Sequence, residues 1–351
     1  MMRKKHKNRK YGIIFLSIII IIGIIVSINL YIKIFSSNVS LENGKQETYL
    51  HIPSDANYND VIKLVKEKDY INDIQSFRWV AKKKNYDSYV QAGRYKIKDG
   101  MNNNELVNIL RSGDQEPINL TINNIRTKEE LASKISKQIE ADSTKLVKLL
   151  NDNDFLAQYD FDPHTVYAMI LHDSYEFWWN TTASEFLSRM HKEHERFWDE
   201  EKRKKAEQLN LSPVEVSTLA SIVDEETIRD DEMPKISGVY INRLRKGMPL
   251  QADPTLKFAL EDFSINRVLN KHMRIDSPYN TYKNRGLPPG PINFPSKKAI
   301  NSVLNYEDHD YLYFAAKPDF SGYHNFSRTH RQHIRNAQKY RQALNEERIW
   351  K

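Results

Sequence analysis

The longest uninterrupted apolar run in the chain lies near the amino terminus, at residues 11–32. It reads YGIIFLSIIIIIGIIVSINLYI, which is 22 residues without a charged side chain. At about 1.5 Å per residue, a helix of this length crosses a hydrocarbon core of roughly 30 Å. The run therefore predicts a transmembrane helix, with Tyr11 and Tyr31 at its two interfaces.

After the apolar run, the periodicity becomes shorter and mixed. Residues 33–47 are polar and aperiodic, which predicts a juxtamembrane linker. Residues 48–120 alternate in some stretches and follow helical spacing in others, which predicts a small α+β module. Its strand-like stretches are 48–52 and 93–97, and its helical stretches are 59–68, 74–84 and 104–111.

The remainder of the chain, residues 121–351, begins with a charged, helix-rich stretch at 125–159. We interpret this remainder as connecting helices followed by one larger domain. The pattern as a whole predicts an α+β protein: a basic segment at 1–10, a membrane helix, a small module and a mixed α+β domain that carries the chemistry.

The clearest helix start in the larger domain is at Ser212. Ser212, Pro213 and Glu215 supply an N-cap, a proline at the first helical position and the acid of a capping box. Counting about 100° per residue from there places a stripe of four side chains at i, i+3, i+4 and i+7. They are Leu219, Ile222, Val223 and Glu226.

Glu226 is thus the one acid of the Asp-Glu-Glu run that lies on the same face of the helix as the apolar side chains. Burial raises the pKa of an unpartnered carboxyl group, as a glycosidase general acid requires. The structural alternative is an ion pair with Arg229 or Arg243. Asp224 and Glu225 lie about 160° and about 100° from Glu226 on the wheel, which favours a solvated face for both.

A second helix is predicted over residues 233–245, ending at Gly247. Its apolar face should pack against the Glu226 helix; the face consists of Ile236, Val239, Tyr240 and Leu244. Three loops rich in proline, glycine, amides and tyrosine follow, at 249–255, 278–282 and 286–292. Such loops hold polar groups stiffly beside aromatic faces, as a sugar site needs, although surface turns have the same composition.

Charge and composition exclude several functions. The net charge is +7, but six cations lie within the first ten residues, so the rest of the chain presents no general polyanion-binding face. These cations are Arg3, Lys4, Lys5, Lys7, Arg9 and Lys10. They precede the apolar run, which favours a cytoplasmic amino terminus and an extracytoplasmic remainder. The alternative is a cleaved signal peptide, but the run is longer than a signal-peptide core and no A-x-A pattern follows it, which favours an uncleaved single-pass anchor in the plasma (inner) membrane. There are 0 cysteines, which excludes disulfides and thiol chemistry.

Four motifs together resemble the YceG-like family of endolytic murein transglycosylases. They are SIVDEET at 221–227, GVYINRLRKGMPLQADPT at 238–255, SPYNTYKNRGLPPGPI at 277–292 and DYLYFAA at 310–316. Their order and spacing make the resemblance specific. It implies a lytic transglycosylase that cleaves the MurNAc-β-1,4-GlcNAc bond, leaves a 1,6-anhydroMurNAc end and terminates or trims nascent strands.

The resemblance also implies which residues act. In this family the second glutamate of an E-x-E-T motif is catalytic, which points to Glu226. Candidates for binding the sugars are Gln251, Asp253, Thr255, Tyr279, Asn280, Thr281, Tyr282 and His324. No cofactor and no metal are implied. The implied partners are peptidoglycan glycan strands, the membrane and cell-wall synthases, and no nucleic acid.

Two motifs depart from the family pattern. Asp224 replaces the first glutamate of the E-x-E-T motif, which puts in doubt any role that needs the longer side chain. The usual E-G-x-x-x-P-D-T-Y pattern is here YAMILHDSY at 167–175, with His172 in place of the proline. The family's LysM-like module suits the α+β unit at 48–120.

Other functional classes stay open at this stage. A muramidase-type hydrolase would need a second acid opposite Glu226, and Asp253 is the attractive choice. A non-catalytic peptidoglycan-binding scaffold would not need Glu226. A metal enzyme is disfavoured, because neither histidine pair lies in an H-E-x-x-H arrangement. These pairs are His191 with His194 and His330 with His333.

Overall fold

The computed structural model describes residues 2–265 and 267–347. The chain divides into two compact units. The first unit comprises the chain up to Ile118 together with Glu176–Asn180. The second comprises Asn119–Tyr175 and the chain from Thr181 onward.

The first unit begins with helix α1 (Met2–Phe35), and its stretch Lys10–Phe35 is long and apolar enough to cross a membrane. The helix predicted at 11–32 lies inside this stretch. At its carboxyl end the side-chain amide of Asn103 donates to the carbonyl of Lys33 at 2.8 Å. The last turn of α1 is therefore bound directly to the folded part of the first unit.

Two antiparallel strands and three helices form the rest of this unit. In chain order they are β1 (Glu47–Ile52), α2 (Tyr58–Glu67), α3 (Ile74–Lys83), β2 (Gly93–Lys98) and α4 (Asn103–Ser112). Strand β1 pairs with β2 from Glu47 opposite Lys98 to Ile52 opposite Gly93. These elements confirm the predicted strands and helices. The prediction succeeded because the alternation of the strands and the apolar spacing of the helices are both strong here.

Residues 38–41, inside the stretch predicted as a linker (33–47), are hydrogen-bonded to the folded part of the first unit. The backbone N–H groups of Asn38 and Val39 both donate to the carbonyl of Met101 at 2.9 Å, and Val39 is buried. The N–H of Leu41 donates to Asp99 Oδ1 at 2.9 Å. These partners lie about 60 residues away along the chain, so no local periodicity marks the segment as ordered.

The second unit is mainly helical. It contains most of β3 (Ile118–Ile122), α5 (Lys128–Ser136), α6 (Ser143–Leu150), α7 (Asn153–Ala157), most of β4 (Asp173–Phe177), α8 (Ala183–Phe197), α9 (Glu200–Gln208), α10 (Pro213–Glu226), α11 (Met233–Arg245), α12 (Asp253–Ala259), α13 (Lys297–Leu304), β5 (Tyr313–Ala316), β6 (His324–Ser327) and α14 (His330–Glu346). Strand β3 pairs with β4, and β5 pairs antiparallel with β6. Mixed α+β architecture is thus confirmed.

Helix α10 is the centre of the second unit's core. It begins at the predicted capping box, in which Ser212 and Glu215 bond to each other's backbone N–H. Every residue from Val216 to Val223 is buried, against α9, α11, α12 and α13. A helix buried all round needs apolar or small side chains on every face, and this segment supplies them. Its carboxyl end is therefore held rigidly.

The loop at 286–294 is attached to α10 by hydrogen bonds. The N–H of Ile292 donates to Ser221 Oγ at 3.0 Å, and the side-chain amide of Asn293 lies 3.4 Å from the Ser221 carbonyl. At Gly290 a Cβ atom would collide with the carbonyl of His164, so this position requires glycine. The loop is thereby positioned beside the end of α10.

Candidate active site

Glu226 is the last residue of α10, and it lies on the stripe that the helical wheel assigned to it. Leu219, Ile222 and Val223 on that stripe are fully buried. The helix stops at Thr227, whose backbone is extended and which is itself buried. Glu226 itself is partly buried, at the point where the core helix ends.

The partner of Glu226 is a tyrosine of the neighbouring helix. The hydroxyl of Tyr240 on α11 donates to Glu226 Oε1 at 2.8 Å. Glu226 takes part in none of the ion pairs in the described part of the chain. Arg243, the alternative partner, donates to the carbonyls of Leu312 at 2.7 Å and Leu250 at 2.6 Å. Arg229 donates to the carbonyl of Ser321, so the predicted structural ion pair does not form.

This environment favours the neutral acid. Burial raises the pKa of Glu226 from 4.5 to about 7, and the negative charge of Asp253 adds to the effect. The hydrogen bond from Tyr240 and the charges of Arg243 and Lys257 oppose it. A carboxyl group with a pKa near neutrality can both give and take a proton at physiological pH.

Replacing Tyr240 by phenylalanine should move the pH dependence of activity. The lost hydrogen bond favours the carboxylate, so its removal raises the pKa of Glu226 further and shifts the alkaline limb of kcat/KM to higher pH. We also expect kcat to fall about tenfold, because Glu226 Oε1 is no longer held in place. Initial rates between pH 5 and 9 measure both effects.

Asp253→Asn is the matched control for that measurement. Its charge raises the pKa of Glu226, so its removal should shift the alkaline limb to lower pH, opposite to Tyr240→Phe. If both variants move the limb in the same direction, or neither moves it, Glu226 is not the group whose ionisation the limb reports.

Glu226 lines two cavities at once. The larger has a volume of about 850 Å³, and Glu226 shares it with Arg126, His172, Asn293 and His324, among others. The smaller has a volume of about 350 Å³, and its wall includes Tyr240, Gln251, Asp253 and Tyr282. A polymer that runs from one cavity to the other would therefore pass the carboxyl group of Glu226.

The helical wheel predicted a solvated face for Asp224 and Glu225, and this prediction is wrong. Asp224 accepts hydrogen bonds from the backbone N–H and the hydroxyl of Ser296 at 2.6 and 2.8 Å. Glu225 forms a two-point ion pair with Arg126, at 2.9 and 3.0 Å. Burial raises the pKa of Asp224, while its Ser296 contacts oppose the shift. Both acids tie neighbouring segments to the end of α10, and the short side chain of Asp224 reaches its partner.

Three of the predicted binding residues lie in the smaller cavity. Gln251 and Asp253 follow α11, and Tyr282 comes from the later loop. The hydroxyl of Tyr282 donates to Asp253 Oδ1, which orients both groups. Gln251 has a left-handed backbone with φ of 50°, an uncommon conformation for a residue with a side chain. Polar groups of two loops thus lie on the wall of the cavity that Glu226 also lines.

Four other predicted binding residues make contacts within the fold. Thr255 and Thr281 are buried and hydrogen-bond each other at 2.9 Å. Asn280 is buried and donates to the carbonyls of Met273 and Ile275. Tyr279 is also buried and packs on Phe258, and none of the four lines a cavity around Glu226. The Thr255–Thr281 contact joins the two loops, and Asn280 fixes the backbone of the second loop. Direct sugar contact by these four residues stays a prediction.

The remaining candidate, His324, lines the larger cavity. Its backbone N–H and its Nδ1 both contact the carboxylate of Glu232, at 2.9 and 2.7 Å. Its ring packs edge-on against Phe314 with centroids 5.3 Å apart. His324 is thus fixed in orientation in the larger cavity, whereas Asp253 lines the smaller one.

The departing motif HDSY also reaches the larger cavity. His172 lines it, and burial lowers the pKa of His172 to about 4, so the ring is neutral. The neighbouring Asp173 pairs with Lys297, and Tyr175 donates to the carbonyl of Leu171 at 2.9 Å. The replacement of proline by histidine therefore adds an uncharged ring to the wall.

Several residues of the site were not predicted. Tyr240 was assigned to the core face of its helix, and a buried hydroxyl opposite a buried carboxyl group was the available signal. Others come from segments far along the chain: Arg126, Asn293, Lys297, Lys298, Tyr313, His330 and His333. Tyr313 lies in the DYLYFAA motif and the two histidines form an H-x-x-H pair, but neither pattern indicates a position beside Glu226.

Comparison with known proteins gives consistent results. The model of the YceG-like family matches residues 50–339. An endolytic murein transglycosylase of Bacillus subtilis (strain 168) is 28% identical over 320 residues, which cover 87% of this chain and 88% of that protein. One from Streptococcus pneumoniae serotype 2 is 29% identical over 309 residues, 78% of this chain and 55% of its own length.

A solved structure is also similar. The crystal structure of a yceG-like protein from Listeria monocytogenes superposes with a TM-score of 0.55 at 27% sequence identity. The match covers 83% of this chain and 99% of that one. Similarity in sequence and in fold therefore extends over both units.

Proposed function

Because the chain belongs to the YceG-like family, we propose that it is a lytic transglycosylase that cuts peptidoglycan strands internally. It breaks the β-1,4 bond between N-acetylmuramic acid and N-acetylglucosamine and leaves a 1,6-anhydro end. The observation that carries this proposal is Glu226, a partly buried carboxyl group that lines two cavities and forms no ion pair with any described residue. Two relatives with the name endolytic murein transglycosylase support it.

A single carboxyl group is sufficient for this reaction. Protonated Glu226 gives its proton to the bridging oxygen as the bond to C1 of N-acetylmuramic acid breaks. The resulting carboxylate then takes the proton of the C6 hydroxyl as O6 bonds to C1. Glu226 ends as it began, no water is consumed, and the leaving strand keeps the first proton.

The surroundings of Glu226 support both steps. Tyr240 holds Oε1, which leaves Oε2 to face the scissile bond. A pKa of about 7 makes both protonation states accessible near neutral pH. The charge of Asp253 opposes the ionisation of Glu226 before substrate binds and would stabilise positive charge developing at C1.

A muramidase-type hydrolase is the second candidate, because Asp253 shares the smaller cavity with Glu226 and is a possible second acid. The full chain in detergent and its Glu226→Gln variant are each incubated with purified peptidoglycan, and the products are identified by mass spectrometry. We expect 1,6-anhydro ends from the parent alone. Reducing ends would indicate the hydrolase, and no fragments from either protein would favour a peptidoglycan-binding scaffold.

The proposal extends to location and partners. The basic residues before the apolar helix favour a cytoplasmic amino terminus, with the active site outside the plasma membrane. The β1-α2-α3-β2 order of the first unit suits a LysM-like module at 48–120, which would bring peptidoglycan to the enzyme. Nascent strands are the expected substrate, and cell-wall synthases are the expected neighbours.

A further inference from the structure

The last helix brings two histidines to the wall of the smaller cavity. His330 and His333 lie one turn apart on α14, and both line the cavity that contains Glu226. Both rings pack on Tyr313 of β5, His333 in a stacked arrangement with centroids 5.3 Å apart and planes at 22°. In the described part of the chain, no third histidine, cysteine or carboxylate joins them in a group that could hold a metal.

The ring of His333 is held in place, but its polar edge is not satisfied. Tyr313 also lies under the guanidinium of Arg243, 5.2 Å from the ring centroid, and Arg243 is fixed by two backbone carbonyls. His333 Nδ1 is buried and has no hydrogen-bond partner among the described residues. A buried polar atom without a partner is destabilising and is uncommon unless another molecule occupies the position.

The charge state of His333 selects the kind of ligand. Burial lowers its pKa, and the charges of Arg243 and His330 act in the same direction, so the ring is neutral at pH 7. Glu226, Asp253 and the hydroxyls of Tyr240 and Tyr282 line the same cavity. A neutral imidazole offers one donor and one acceptor, which suits the hydroxyl or acetamido group of a sugar better than an anion.

We propose that His333 is a substrate-positioning residue, which hydrogen-bonds one sugar of the glycan in the smaller cavity and aligns its glycosidic bond with Glu226. This proposal rests on the proposed function and assigns the smaller cavity to one side of the cleavage point. The polymer would continue on the other side of Glu226 into the larger cavity, which His324 and Asn293 line.

Two variants of His333 test the role of its nitrogen atoms. His333→Phe keeps the flat ring on Tyr313 but removes both nitrogens, and His333→Asn keeps a polar atom near the Nδ1 position. We expect kcat/KM on peptidoglycan to fall about 10- to 100-fold in His333→Phe, mainly through KM, and to recover in part in His333→Asn. His191→Phe is the control, because His191 packs against Tyr159 at 4.9 Å and lines neither cavity.

Binding without turnover separates this inference from the proposed function. Full-length Glu226→Gln protein, with and without His333→Phe or His333→Asn, is titrated with uncrosslinked glycan strands. Weaker binding in the Phe double variant, with partial rescue by Asn, supports the role of His333 even if the parent cleaves nothing. Unchanged binding in both double variants overturns it, even if the parent is active. If the His333→Phe variant does not fold, the His333→Asn double variant decides alone. It must bind glycan strands more weakly than the Glu226→Gln protein that keeps His333, and equal affinity overturns the proposal.

Discussion

Glu226→Gln is expected to abolish strand cleavage and, at alkaline pH, to make the protein more stable. Loss of a general acid and base typically costs about 10²- to 10⁴-fold in rate, so we expect kcat to fall within that range or below detection. Glutamine keeps the size of the side chain and can still accept the Tyr240 hydrogen bond. The loss of rate would therefore reflect chemistry rather than a change in shape.

The gain in stability follows from the raised pKa. The folded protein holds Glu226 at a pKa of about 7, above the value of 4.5 that applies to an exposed glutamate. Below pH 4.5 the group is protonated in both states and has no effect on the pH dependence of unfolding. As the pH rises from 4.5 to 7, the unfolded chain loses the proton first, and the folded state is destabilised by about 3 kcal/mol.

The variant does not have this penalty, so its unfolding free energy should match the parent at pH 4 and exceed it by about 3 kcal/mol at pH 8.5. Chemical denaturation of both full-length proteins at the two pH values measures the difference. Glu207→Gln, an exposed substitution on α9, is the control and should show no such divergence. Equal stability of parent and Glu226→Gln at pH 8.5 would show that Glu226 ionises like an exposed carboxyl group.

Gly238→Ala should destabilise the protein by about 3 kcal/mol, although alanine is the better helix former. Gly238 lies inside α11, two residues before Tyr240. A Cβ at this position would collide with the carbonyl oxygen of Glu307 and would lie 2.8 Å from His309 Nε2. The helix must then shift away from residues 307–309, and Tyr240 would move with it.

The segment cannot withdraw easily, because hydrogen bonds attach it to α11. The N–H of Glu307 donates to the Pro234 carbonyl at 3.0 Å, and His309 Nε2 bonds the Lys235 carbonyl at 2.9 Å. Thermal and denaturant unfolding of the full-length variant measure the cost. Gly247→Ala is the control: its φ of 61° disfavours alanine by about 1 kcal/mol, but no atom lies within 4 Å. If Gly238→Ala is as stable as the parent, the contact with residues 307–309 is not tight.

The sequence by itself determined the features that depend on neighbours in the chain. The capping box at Ser212 set the start of α10, and 3.6-residue periodicity then put Glu226 on the buried stripe without further information. The same rules predicted α11 with both of its ends, and the strands and helices of the first unit. The family resemblance, carried by four motifs, is confirmed by the match over residues 50–339.

Only the tertiary structure decided which groups these elements bring together. A helical wheel shows that Glu226 points inward, but not that Tyr240, rather than Arg243, meets it. The polar motifs that contain Thr255 and Asn280 did not show that both side chains donate hydrogen bonds to backbone carbonyls. His333, 107 residues after Glu226, reaches the same cavity through the packing of α14 on β5. Partners so distant in sequence are selected by the packing of whole elements, which no local pattern of residues encodes.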